Sequence, residues 1–324
     1  MTSLQHNDDA FATMLLMSQL SADREEIVRP LGTAEFHALR ERVSACGMKG
    51  VGALIDMDMS AVRRTLGVEE SEAYRLCVLL GRVVPLSYAL ERFSERGIEI
   101  VTLEEVGYPA RLNERLGRKA PPMIYACGDL PLADAASVAV LSDSCARPDA
   151  LECARQLTAM ACAAGLPVVT GGEVGFGRLV ERETLQENGR VISFLAGSLA
   201  ERIYQPGMSE MIANARALAM SAVHPEAKYT VSHAAERSKC LYALSRAGFV
   251  VASEKGRGAA WDGAVSALRN GFADRVYVWD NPEQPGNLEL ITRGATPFRS
   301  PRELALDAMK AGWERPAYEQ MSLL

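Results

Sequence analysis

Apolar residues recur at three- and four-residue spacings through the first 95 residues, in segments 11–20, 33–46, 59–66 and 71–84. Turns carrying Gly32, Gly47, Gly50, Gly52 and Gly67 separate them. That period lines up one face of an α-helix, so the pattern predicts a small helical module over residues 1–95. From Ile98 the pattern changes. Short, continuous apolar runs at 98–102, 123–126, 138–142, 167–170, 191–195, 217–223, 249–252 and 275–279 alternate with helical patterns at 149–164, 176–188, 209–215, 232–247 and 260–272. Strands that are apolar on both faces and separated by helices predict a mostly parallel sheet covered on both sides, a doubly wound Rossmann-like α/β domain over 96–300. A helix-like piece at 302–313 predicts a helical tail over 301–324.

In such a sheet, ligands gather beyond the carboxyl ends of the strands. The residues at those positions are Ser142, Asp143 and Ser144, then Thr170 through Gly177, then Ala196, Gly197 and Ser198, then Ser221. Ser253, Glu254, Lys255, Gly256, Arg257 and Gly258 follow, and lastly residues 281–287. The densest of these loops follows the run Leu166–Val169. Gly171, Gly172, Gly175 and Gly177 fall within seven residues of one another, and a charged amphipathic segment comes next. Glycine permits close backbone approach, and the start of the following helix presents unpaired N–H groups, an arrangement that suits a phosphate. The spacing is not G-x-G-x-x-G, and Glu173 places a negative charge inside the loop. The motif alone leaves a structural turn and a ligand loop both open.

Composition narrows the class. The chain has 324 residues, 48% of them hydrophobic and 23% charged, with a net charge of −6, the balance of a globular protein with a sizeable core. The acidic total argues against a protein wrapped in nucleic acid but allows a local basic groove. No apolar run approaches the length of a membrane span, and residues 1–10 are polar and acidic where a secretory signal is basic and then apolar, so a cytoplasmic protein without membrane contact is expected. The seven cysteines contain no C-x-x-C pair and predict buried free thiols, while His6, His37, His224 and His233 form no metal-binding pattern. Neither a metal nor a cofactor is expected.

Arg237 and Lys239, at the start of a predicted helix, together with Lys255 and Arg257 around Gly256, are the candidate phosphate contacts, four cations that could share one groove. Trp261, Tyr229 and Phe176 are candidates to stack a base, although for Trp261 packing under its loop is the simpler role. The turn 46–52 has the glycines of a helix-hairpin-helix, and it serves equally as a plain connection. Catalysis finds no comparable support. Ser144, Ser198 and Ser253 lie outside any G-x-S-x-G, no histidine can be assigned as their base, and Glu173 with Glu181 are most simply helix and loop acids.

Taken in order, these loops resemble the DprA/Smf family of DNA-processing proteins over about residues 98–298. Gly107–Tyr108–Pro109 through Leu112 is similar to the family's Y-P-x-x-L, and Pro121–Pro122 through Asp129 to its P-P-x-x-L-Y-x-x-G. Residues 164–171 resemble the approach to its S-G-x-A-x-G-I-D loop, Arg237–Ser238–Lys239 with Ala243–Leu244–Ser245 its R-N-R-I-I-A-x-L-S, and Pro285–Gly286–Asn287 with Gly294–Ala295 its closing signals. The polar positions differ. Ser142–Asp143–Ser144 stands where the family has G-[ST]-R, Gly177 and Glu181 replace an Asp and a His, and residues 257–264 replace S-G-S-x-x-T-A. The resemblance implies a non-catalytic protein that binds single-stranded DNA, acts with a recombinase and forms a homodimer. The residues keep open an alternative, a nucleotide or phosphate-ligand sensor or hydrolase, and a third, a scaffold with a dead pocket. Under either ligand reading the expected binding residues are Ser142, Ser144, Thr170, Gly171, Gly172, Gly175, Gly197, Arg237, Lys239, Lys255, Gly256, Arg257 and Gly258.

Overall fold

A computed structural model describes residues 7–20, 28–143 and 147–311. The chain divides into two compact units, one of Met1–Tyr108 with Gly117–Ala126, the other of Pro109–Leu116 with Cys127–Leu324.

The first unit holds helices α1 (Asp8–Met17), α2 (Thr33–Ala45), α3 (Met59–Leu66), α4 (Glu70–Leu80) and α5 (Val83–Glu95). Strands β1 (Glu99–Thr102) and β2 (Met123–Gly128) pair antiparallel, with Glu99 opposite Ala126. Side-chain caps fix two helix starts: Ala10 N donates to the Asn7 side chain and Ala61 N to that of Asp58. The segment expected as one helix over 71–84 is two. Pro85 has no N–H to continue a helix across Gly81, but it fits the first turn of α5, where that N–H would have no partner. The glycine turn at 46–52 is spent inside the unit. Gly52 N donates to Asp9 Oδ1 at 2.6 Å, and a Cβ at Gly52 would lie 2.7 Å from the Asp8 backbone, so an internal carboxylate occupies the turn.

The second unit is α/β. In chain order it contains α6 (Ala110–Leu116), β3 (Val138–Ser142), α7 (Pro148–Ala163), β4 (Val168–Thr170), α8 (Phe176–Gln186), β5 (Val191–Leu195), α9 (Leu199–Arg202), α10 (Met208–Ala213) and β6 (Ala217–Ser221). It continues with α11 (Val231–Leu244), β7 (Ala247–Ala252), α12 (Ala259–Asn270), β8 (Arg275–Trp279), α13 (Pro285–Thr292) and β9 (Thr296–Phe298). Its strands run β6-β5-β4-β3-β7-β8-β9 and every pairing among them is parallel. Every residue of β5, β6 and β7 is buried, as a parallel sheet covered on both faces requires. On one face α7 and α8 close over Val138, Val140, Val168 and Phe249, with Leu157, Phe176 and Val180 among the packed side chains.

The order places a switch at β3: the chain proceeds from β3 through β6 in one direction, then crosses to β7 on the other side of β3. Four elements depart from the sequence pattern. The helix expected over 232–247 stops at Leu244, where Ser245 Oγ caps Leu241 O at 2.6 Å and Ala247 already begins β7. The edge strand β9 carries Pro297 at its centre, which hides it from a strand pattern, and α13 is too short for its period to register. Where a helix was expected over 302–313, Pro301–Glu303 and Leu306–Lys310 are 3₁₀ turns; residues 312–324 lie outside the described residues.

Candidate functional site

The connections leaving β3 and β7 diverge at the switch, the usual place for a ligand in an open α/β sheet. Here a side chain of the protein takes that place. Asp143 Oδ2 accepts the Glu254 N–H at 2.7 Å and Oδ1 accepts the Ala260 N–H at 3.1 Å, so its carboxylate sits on the N-terminal turn of α12, where a phosphate would otherwise be held. Gly258 is fitted to it: a Cβ there would lie 2.4 Å from Asp143 Oδ1. Burial raises the Asp143 carboxyl above the ordinary carboxylate range, against the lowering by its two backbone donors.

The open volume lies one strand pair away. A cavity of about 520 Å³ opens beyond the carboxyl ends of β4 and β5, walled by the glycine loop after β4 and by Ala196, Gly197 and Ser198 after β5. Two glycines set its shape. Gly175, at φ +94°, turns the chain into α8, and Gly197, at φ +150°, lets its backbone lie against the Ala227 carbonyl, which a Cβ would approach to 2.6 Å. Three guanidinium groups line the cavity, those of Arg178, Arg202 and Arg237. Arg237 is buried; its Nη1 donates to Gly171 O at 2.9 Å and to Glu173 Oε2 at 3.1 Å, bracing the glycine loop from behind. Arg202 forms a buried ion pair with Glu181, whose other oxygen accepts from Ser193 Oγ at 2.6 Å. No carboxylate is paired with Arg178 among the described residues.

All three arginines keep one donor in hand. Nε of Arg178, of Arg202 and of Arg237 is buried without a hydrogen-bond partner, and so is Thr170 Oγ1 at the end of β4. Buried polar atoms are normally satisfied; the three arginine Nε atoms belong to residues that line the cavity, and Thr170 lies behind it. At the mouth, Tyr229 is 58% exposed and Val174 77% exposed. The arrangement can hold an anion with charge-assisted hydrogen bonds and lay a flat ring against Tyr229.

Of the residues expected from sequence, Gly171, Gly172, Gly197 and Arg237 line this cavity, with Thr170 just behind and Gly175 opening α8. The four cations expected in one groove are not brought together. Lys239 pairs with Glu236, Arg257 with Glu254, and Lys255 with Glu289 at 3.1 Å, and none of them lines the cavity. Lys255, Gly256, Arg257 and Gly258 lie on the β7–α12 loop, separated from the glycine loop by β3. Ser142 ends β3, and its Oγ donates to the Asp143 carbonyl; Ser144 lies outside the described residues. Arg178 and Arg202 went unmarked in the sequence. A signal was present, since each falls within a few residues of a loop glycine, at Gly175 and Gly197. Among the described residues no group of His, Cys, Asp or Glu is placed to hold a metal, and no single helix is long and apolar enough to cross a membrane.

A family model described as DNA recombination-mediator protein A matches residues 99–308. Among solved structures, DNA processing protein A from Streptococcus pneumoniae superposes with a TM-score of 0.65 at 16% identity, over 87% of this chain and 98% of its own. DNA processing protein A from Helicobacter pylori, whose structure describes its mode of binding single-stranded DNA, gives 0.51 at 18% identity, over 64% of this chain and 94% of its own. At these identities the two structures speak to fold. No curated protein gives a significant match.

Proposed function

The chain belongs to the DNA recombination-mediator protein A family, and from that premise we propose that it binds single-stranded DNA without chemically altering it, seating one nucleotide in the cavity beyond β4 and β5. The observation that carries this reading is that three arginines, Arg178, Arg202 and Arg237, line one cavity beside the glycine loop. A phosphate brings several strong acceptors to such donors, and contacts of this kind set affinity without reading sequence. Gly171, Gly172 and Gly197 keep the cavity walls free of side chains, and Tyr229 offers a ring on which any base can stack. Ser142, Lys255, Gly256, Arg257 and Gly258 then flank the path of the strand along the carboxyl edge of the sheet. The reading extends to a recombinase partner and a homodimer, both implied by the family; light scattering that returns a mass near 35.1 kDa removes the homodimer.

A second reading is favoured by one feature, the volume. About 520 Å³ is the size of a pocket for a single small molecule, so a free nucleotide or another phosphate ligand would also fit. Fluorescence anisotropy with labelled oligo(dT) separates the two. Saturable binding that weakens steeply with salt and is competed by unlabelled single strands supports the first reading. No binding at low salt, together with a rise in melting temperature on adding a mononucleotide, replaces it with the second.

A further inference from the structure

The Arg202–Glu181 ion pair stands between two cavities. On its far side, between α8 and α10, is a second volume of about 610 Å³, bounded by Arg182 and by Leu185, Met208 and Met211. Arg178, Arg202 and Gln205 line both cavities and form the wall they share. Arg202 is more than nine-tenths buried, and in that shared wall its Nε and the Nε of Arg178 have no partner.

The second cavity resembles the first in its balance of polar and apolar lining, and the Glu181 carboxylate stands in it beside Arg202. It offers cations at the wall and rim and an apolar side formed by Leu185 and Pro206 over the buried Met208 and Met211, which suits a flat apolar ring attached to an anion. Methionine and leucine accept such a ring without specifying it. A ligand group held by Arg178 and Arg202 together would touch both volumes at once, and the anion that belongs to two neighbouring ring systems in a single strand is the phosphodiester between consecutive nucleotides.

Resting on the single-strand reading above, we infer that the second cavity is the subsite for the adjacent nucleotide. The cleft therefore takes a dinucleotide step, with the linking phosphodiester crossing the shared wall at Arg178 and Arg202. The Arg202–Glu181 pair positions the guanidinium for that crossing, since Glu181 is itself held by Ser193.

The test is calorimetric titration of the full chain with thymidine monophosphate, the dinucleotide pTpT and oligo(dT). The second base adds a stacking contact, so pTpT is expected to bind about 5- to 150-fold more tightly than the monophosphate. Leu185→Trp fills the second cavity, and Arg182→Ala removes a cation 59% exposed that lines only that cavity. Both are expected to pull pTpT back toward the monophosphate while leaving the monophosphate unchanged. Should Leu185→Trp fail to fold, the exposed Arg182→Ala decides alone. Equal affinity for the monophosphate and pTpT, or variants that leave the advantage of pTpT intact, overturns the second subsite even though oligo(dT) still binds. If wild-type protein binds neither pTpT nor oligo(dT), the single-strand reading itself fails and the subsite falls with it.

Discussion

Glu181 and Arg202 are nearly sealed from solvent, with side chains 5% and 9% exposed, and that burial sets the consequence of any change there. Removing one partner leaves a buried charge alone, whereas removing both leaves an apolar site. Arg202→Met is expected to cost roughly 3–5 kcal/mol in urea unfolding, and the double change Glu181→Leu with Arg202→Met to recover most of it. A single variant within about 1 kcal/mol of wild type would contradict the buried pair. In the first unit, Glu104 poses the opposite case. Burial pushes its carboxyl up to about 7 even though Arg40 lies 3.2 Å away, with Asp9 and Glu105 adding repulsion. The folded state then favours the protonated form, so this contribution is complete below the carboxyl's ordinary value and fades as pH rises through about 7. Glu104→Gln should raise the melting temperature at pH 8 and leave it unchanged near pH 4; an equal gain at both would exclude titration as the cause. Neither behaviour was legible in the sequence, where Glu181 is one more acid on a helix and Glu104 one of a pair of glutamates.

The elements themselves were largely legible, because a strand buried on both faces and a helix with a repeating apolar stripe leave different periods in the chain. Val138–Ser142, Val191–Leu195 and Arg275–Trp279 begin and end where the apolar runs do. Boundaries slipped where a local bond overrides the period, as at Ser245, and short pieces such as α13 and β9 left no period to find. Packing between elements adds a constraint that pattern cannot show. Tyr242 on α11 is fully buried, and a Cβ on Gly248 of β7 would lie 2.4 Å from its ring. A ring in a filled core has nowhere to move, so Gly248→Ala is expected to destabilise by about 1–3 kcal/mol through overpacking, measurable by thermal unfolding. A neutral or stabilising result would show that α11 does not press on the sheet at this point.

At the scale of the molecule, which loops meet depends on strand order, and strand order is not written in any one segment. The sequence placed Gly171 and Lys255 alike at strand ends; the order β4-β3-β7 sets a strand between their loops, and Asp143 fills the α12 N-terminus on one side of it. The net charge of −6 also takes on a different meaning. All four cations expected to meet phosphate already face carboxylates, so the proposed binding rests on the arginines that line one cavity. Arg178 is the one among them with no paired acid among the described residues, which makes it the most direct probe. The deciding measurement is the dependence of oligo(dT) affinity on salt for wild type and Arg178→Ala. If Arg178 neutralises one phosphate, the variant binds more weakly and its log–log slope is shallower by about 0.7. Equal affinity and equal slope in the two proteins would contradict a single strand seated in this cavity.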